Sequence, residues 1–124
     1  MLDKKLTVLV AEDDKTSFVY LETILSKVGF NLINTENGED TIQALKSNAE
    51  IAIILMDIKM PGMNGLEATR QIRSFNKSIP IIAQTAHAFI EDRDKAINAG
   101  CNDYVTKPID RDLIIKLIRA YTNT

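Results

Sequence analysis

Polar residues that interrupt apolar runs carry the chemistry of this chain. Glu12, Asp13 and Asp14 follow LTVLVA, Asp57 follows IAIILM, Thr85 follows IIAQ, and Lys107 follows DYVT. Carboxylates drawn together repel one another, and each is costly to desolvate unpaired. A hard divalent cation relieves both problems. Two or three carboxylate oxygens, with water in the remaining positions, suit Mg²⁺. An ammonium (Lys107) and a hydroxyl (Thr85) around one carboxylate would make a phosphoryl-transfer site, where cations neutralise the phosphoryl oxygens while an aspartate attacks. Asp57 is the expected nucleophile, because it ends the most apolar run and precedes the turn-forming loop Lys59-Met60-Pro61-Gly62-Met63-Asn64-Gly65. Singly, each residue is ordinary. An acid after a strand is commonly a helix N-cap, a role that fits Asp14, and an isolated lysine is commonly solvated. The chemistry requires a fold that gathers them.

The elements that must do so are legible as alternating runs. Leu6 to Ala11 reads as a strand buried on both faces, as in a parallel sheet. Phe18, Leu21, Leu25 and Val28 recur at helical spacing from Lys15 to Val28, and Gly29 supplies a stop. A strand over Phe30–Thr35 precedes a helix opened by Asn37-Gly38 and carrying Ile42 and Leu45. Ile51–Met56 is the third strand, Leu66–Arg73 a helix, and Ile79–Gln84 the fourth strand, with Pro80 tolerable at a strand start. A short helix over Glu91–Ala99 is capped by Gly100. Asp103–Thr106 is the fifth strand, and Asp110 caps a last helix with the stripe Leu113, Ile114, Leu117, Ile118 and Tyr121. Strand–helix alternation implies right-handed crossovers and an α/β, doubly wound (βα)5 fold with helices on both faces of a parallel sheet. Ligands of such sheets sit at the carboxyl ends of the strands, beside the point where strand order reverses. Glu12, Asp13, Asp57, Thr85 and Lys107 all fall at those ends.

Composition bounds the rest. The 124 residues are 45% hydrophobic and 26% charged, with 17 acids against 15 bases and a net charge of −2. That suits one domain, over residues 1–124, and gives no electrostatic footprint for direct nucleic-acid binding. One cysteine, Cys101, excludes an internal disulfide and is expected to be a small packed residue. No apolar run approaches the roughly 20 residues of a membrane span, and no signal-peptide pattern opens the chain. A cytoplasmic domain without membrane insertion is expected.

The segments LVAEDD, MDIKMPGMNGLEATRQIR, QTA and YVTKPI, in this order and spacing, resemble the receiver domain of two-component response regulators. The resemblance covers essentially the full chain. It implies a flavodoxin-like sheet of order 2-1-3-4-5 and a phosphorelay role. Asp57 would be the phosphoacceptor, receiving its phosphoryl group from a phosphohistidine on a histidine kinase or a histidine phosphotransfer domain. Glu12, Asp13, Asp57 and the backbone carbonyl of Lys59 would hold Mg²⁺. Lys107 would contact the phosphoryl oxygens, Thr85 would move to bond them, and Tyr104 would change rotamer with Thr85. The Lys107–Pro108 bond would be cis. Lys59 and His87, two residues beyond Asp57 and Thr85, would tune the phosphoryl lifetime by shaping water access. The surface that changes would be built from the fourth helix, fifth strand and fifth helix. Glu12 stands where many members have aspartate. With MDIKMPGMNGLEATR and QTAHA, it resembles receivers of hybrid sensor histidine kinases, which favours a piece of a larger kinase over a stand-alone receiver.

The expected activity is a stoichiometric phosphoacceptor switch, not a turnover enzyme, although the family also phosphorylates itself from small phosphodonors and dephosphorylates itself. The expected state is a monomer or a weak phosphorylation-dependent dimer. A phosphorylation-independent interaction module of the same fold is the competing reading; degenerate receivers usually lose an acid, the Thr or the Lys, and all are present here. An aspartate-nucleophile phosphohydrolase would want a second aspartate where Lys59 stands. No GxxxxGK[ST] motif supports a P-loop NTPase, and a flavodoxin would want a neutral hydroxyl-rich loop in place of EDD.

Overall fold

The computed structural model describes residues 5–86 and 89–124. Its elements alternate without exception: β1 (Thr7–Ala11), α1 (Lys15–Lys27), β2 (Asn31–Thr35), α2 (Gly38–Ser47), β3 (Ile51–Asp57), α3 (Gly65–Phe75), β4 (Ile81–Thr85), α4 (Ile90–Ala99), β5 (Asp103–Thr106) and α5 (Arg111–Thr122). All strand pairings are parallel, and the sheet order is β2-β1-β3-β4-β5. The order reverses between β1 and β3, so the switch point lies where Ala11 pairs with Met56.

Apolar residues on both strand faces build two cores. On one face Val8, Val10, Ile53, Leu55 and Ile82 pack under Leu21, Ile24 and Leu25 of α1 and Ile114, Ile115 and Ile118 of α5. On the other, Leu9, Ile54, Met56 and Ile81 pack under Leu45 of α2, Ala68 and Ile72 of α3 and Ala96 of α4. The starts of α1, α2, α3 and α5 are fixed by side-chain oxygens that accept otherwise unpaired amides. Asp14 accepts from Ser17 N at 2.9 Å, Asn37 from Asp40 N at 2.8 Å, Asn64 from Glu67 N at 3.0 Å and Asp110 from Leu113 N at 2.9 Å. Gly100 ends α4 at φ +121°, and a Cβ there would meet Arg73 Cγ at 2.6 Å. The close approach lets Arg73 donate to the Gly100 carbonyl at 2.9 Å and to Asn102 Oδ1 at 2.8 Å, tying α3 to the turn before β5.

Three expectations shift in detail. β4 begins at Ile81 and runs to Thr85, because Pro80 has no N–H for the ladder; its carbonyl accepts from Ile54 N at 3.0 Å. The α5 stripe is rotated: Ile115 is buried and Leu113 is 44% exposed. At 100° per residue, the core-facing centre lies between Ile114 and Ile118, which brings Ile115 in and turns Leu113 out. In α1, Ile24 joins Leu21 and Leu25 in the core, while Phe18 and Val28 flank it.

Candidate functional site

The site is built by the topology. β1 and β3 lie side by side at the sheet centre, so Glu12, one residue past β1, and Asp57, last in β3, emerge together. Both are buried, with Glu12 1% and Asp57 6% exposed, whereas Asp13 is exposed. Carboxylate oxygens of Glu12, Asp13 and Asp57 lie within 4.8 Å of one another. Lys107, just past β5, reaches over the end of β4. Its Nζ donates to Asp57 Oδ2 at 2.7 Å and to Glu12 Oε1 at 2.6 Å. The other oxygens are also engaged: Lys59 N donates to Asp57 Oδ1 at 2.9 Å, and Asp14 N to Glu12 Oε2 at 3.1 Å.

Burial and charge together set the titration behaviour. Burial pushes the Glu12 carboxyl above the usual range; the Lys107 ammonium and Asp14 amide oppose that push, and the neighbouring Asp57 reinforces it. Burial pulls Lys107 down, but hydrogen bonds and charge from Asp57 and Glu12 outweigh it, and the ammonium is held above its ordinary value. One ammonium cannot balance three carboxylates. Two unit charges about 5 Å apart at an effective dielectric of about 20 interact by roughly 3–4 kcal/mol, so the cluster has a standing demand for further positive charge. An all-oxygen donor set, partly open through the exposed Asp13, fits a hard divalent cation such as Mg²⁺.

Thr85 ends β4, buried, one residue beyond Gln84, the cross-strand partner of Asp57. Its carbonyl accepts from Lys107 N at 2.7 Å, which fixes the base of the lysine. Tyr104 of β5 is half-buried against the α2–α3–α4 core, and its phenol is pushed up by burial and by the charge of Asp92 on α4. The Lys107–Pro108 peptide bond is cis. Lys59 lines an open groove of about 610 Å³ with Asp13, Met60, Leu66, Asp92 and Lys95, leading to the acidic cluster. His87 lies outside the described residues. Cys101 is buried, and its thiol is pushed up by burial.

Several supports escape a reading of sequence. Asn34 of β2 donates its side-chain amide to the carbonyls of Val10 and Glu12, at 3.0 and 3.1 Å, and Glu12 N donates to the Thr35 carbonyl at 2.8 Å, so β2 holds the acidic loop. The only signal was a polar residue inside the strand NLINT. Gly65 opens α3 against β3: its N donates to the Ile58 carbonyl at 2.9 Å, and a Cβ would lie 2.1 Å from the Asp57 carbonyl oxygen. Tyr20 and Gln84, which border the lysine turn, gave no signal of a role.

Fold and site together define a flavodoxin-like α/β domain with an acidic, lysine-bridged crevice at its switch point. Residues 8–119 match the family model of the response regulator receiver domain, and the chain belongs to that family. It is 40% identical over 121 residues to hybrid signal transduction histidine kinase I of Dictyostelium discoideum, covering 91% of this chain and 7% of that protein. It is 32% identical over 120 residues to sensor protein GacS of Pseudomonas syringae pv. syringae, covering 93% of this chain and 13% of that protein. The chain thus spans a small part of these hybrid kinases. The protein PilH of Pseudomonas aeruginosa is 36% identical over 115 residues, and there the match covers 91% of this chain and 94% of the relative. Among solved structures, the receiver domain of a sensor histidine kinase from Pseudomonas aeruginosa PAO1 superposes with a TM-score of 0.89 at 28% identity, covering 98% of this chain and 100% of that one. It carries a magnesium ion in its active-site cleft. The receiver domain of Saccharomyces cerevisiae Ssk1, co-crystallised with the histidine phosphotransfer protein Ypd1, superposes with a TM-score of 0.89 at 30% identity, covering 98% of this chain and 92% of that one.

Proposed function

We propose that this receiver accepts a phosphoryl group on Asp57 and switches a protein-binding surface in response. The observation that carries the reading is the Lys107 ammonium shared between Asp57 and Glu12, with Asp13 completing a carboxylate cluster beside it. An Asp57 carboxylate oxygen attacks the phosphorus of a phosphohistidine. The O–P bond forms, the P–N bond breaks, and its electron pair returns to the imidazole, which takes up a proton. Glu12, Asp13 and Asp57 would hold Mg²⁺, with the Lys59 carbonyl added by the family resemblance; the ion supplies positive charge to the phosphoryl oxygens. Lys107 is already within 2.7 Å of the attacking carboxylate and needs only to follow the charge as it moves onto the phosphoryl group. Lys59 N, at 2.9 Å from Oδ1, orients the carboxylate.

The new dianion draws the Thr85 hydroxyl towards it, Tyr104 follows, and the α4–β5–α5 face changes affinity. The product stays attached, so the chain is a stoichiometric acceptor and not a turnover enzyme. The donor is a histidine kinase or a histidine phosphotransfer domain; the complex of the Ssk1 receiver with Ypd1 supports that choice. No helix among the described residues is long and apolar enough to cross a membrane. The resemblance to two-component receivers is our ground for proposing a cytoplasmic location. Lys59, at the groove mouth, sets water access and hence phosphoryl lifetime, with His87 as its counterpart beyond β4.

Mass spectrometry after treatment with acetyl phosphate and Mg²⁺ tests the reading. One added phosphoryl group on Asp57, absent from Asp57→Asn, is expected. An unmodified wild-type chain would instead identify a phosphorylation-independent module. Replacement of Lys59 by alanine should alter the dephosphorylation half-life, and an unchanged half-life removes Lys59 from the lifetime role.

A further inference from the structure

Lys107 must place one ammonium between two carboxylates, yet the turn that carries it is poorly supported from below. Lys107, Pro108 and Ile109 border a cavity of about 280 Å³ that lies between α1 and the end of β4. The floor of that cavity is Gln84, fully buried, whose side-chain amide finds no hydrogen-bond partner among the described residues. Gln84 shares its strand face with Ile82, which packs in the α1–α5 core, so its side chain belongs to this side of the sheet. Neither close packing nor a hydrogen bond from Gln84 therefore fixes the lysine end of the turn. Ile109 anchors the far end by its buried side chain.

Two hydrogen bonds hold what packing does not. Lys107 N donates to the Thr85 carbonyl at 2.7 Å. The Tyr20 hydroxyl of α1 donates to the Ile109 carbonyl, also at 2.7 Å, across 89 residues of sequence. We propose that Tyr20 is a positioning residue for Lys107, its hydroxyl tethering the Lys107–Ile109 turn to α1 and thereby aiming the ammonium at Asp57. Tyr20 is 43% exposed on α1, so the tether also makes the site sensitive to anything that shifts this helix. The inference rests on the phosphoacceptor reading for its kinetic consequence and on geometry alone for its structural one.

Tyr20→Phe keeps the ring and removes only the tether. The initial rate of Asp57 phosphorylation by acetyl phosphate, at saturating Mg²⁺, should fall about two- to tenfold, the range that one lost hydrogen bond allows. The apparent Mg²⁺ affinity should hold. In a Lys107→Ala background the same substitution should have no further effect, because the residue it positions is gone. Val19→Ala, at a neighbouring half-exposed position on the same helix, should leave the rate unchanged. A wild-type rate in Tyr20→Phe, or an equal fold-loss with and without Lys107, overturns the proposal. The ¹⁵Nζ resonance of Lys107 gives a reading that needs no phosphorylation: it should shift or broaden in Tyr20→Phe and stay put in Val19→Ala. An unmoved resonance overturns the tether even if Asp57 proves inert, whereas a moved resonance with an inert Asp57 retains the tether and rejects the function.

Discussion

At the residue scale, the fully buried side-chain polar atoms of the described residues have hydrogen-bond partners, and Gln84 is the exception that invites measurement. Its amide is buried with both polar atoms unpartnered among the described residues. An unmade buried hydrogen bond costs roughly 1–3 kcal/mol, while Met has nearly the same volume and no such demand. Gln84→Met should therefore raise the urea midpoint, and a lower midpoint would mean that water satisfies the amide in solution. Cys101 gives the opposite case, a buried thiol that is content while neutral. Burial raises its pKa above the usual 9.0, although the Thr69 hydroxyl and Arg73 pull against that. Because the folded value is the higher one, its contribution is complete below pH 9.0 and is lost as pH climbs towards the folded value. Cys101→Ala should flatten part of the alkaline fall in stability; Tyr104 and Tyr121, also raised, account for a further fall beginning near 10.0. The candidate site residues were legible because each is a polar residue that follows an apolar run. Tyr20 and Gln84 were not, because their effect passes through a backbone carbonyl or a cavity, and Asn34 left no more than a polar residue inside a strand.

At the element scale, helix and strand order could be read from alternation alone, since a both-faces-buried strand and a one-stripe helix have different apolar periods. What periodicity leaves open is rotation and ends. α5 offers Leu113 and Ile115 on either side of Ile114, and only packing against β3 and α1 selects Ile115. α3 shows a tighter constraint, invisible in its stripe. Its first residue, Gly65, lies so close to β3 that a Cβ would stand 2.1 Å from the Asp57 carbonyl oxygen and 2.9 Å from Met56 Cγ. The helix N-terminus thus abuts the backbone of the proposed phosphoacceptor. Gly65→Ala must push α3 away from β3 or move Asp57, at roughly 1–3 kcal/mol. For a domain of this size that lowers the melting temperature by about 5–15 °C. The rate of acetyl phosphate modification should fall beyond what the lost stability explains when both are measured well below the transition. A full rate in a chain destabilised to that extent would show that α3 yields and Asp57 does not.

At the scale of the whole molecule, two apolar cores support a sheet whose carboxyl edge concentrates charge, so folding energy is spent to hold like charges together. Glu12 and Asp13, adjacent in sequence just past β1, meet Asp57 at the end of β3 only in the native fold. A cation that binds the cluster therefore binds the folded state and little of the unfolded one, and it must stabilise the fold by mass action. At a hundredfold excess over its dissociation constant, Mg²⁺ should add about 2.7 kcal/mol, a rise in melting temperature on the order of 10 °C, and a chelator should reverse it. Asp13 isolates the electrostatic part, because it is exposed and takes no share in the Lys107 bridge. In Asp13→Asn one repelling charge is gone, so the metal-free protein should melt at or above the wild-type temperature, while the increment on adding Mg²⁺ should shrink or vanish. The two effects have opposite sign, which a general loss of structure cannot imitate. If Asp13→Asn instead lowered the metal-free melting point and kept the full Mg²⁺ increment, the carboxylate cluster would not be where the ion binds.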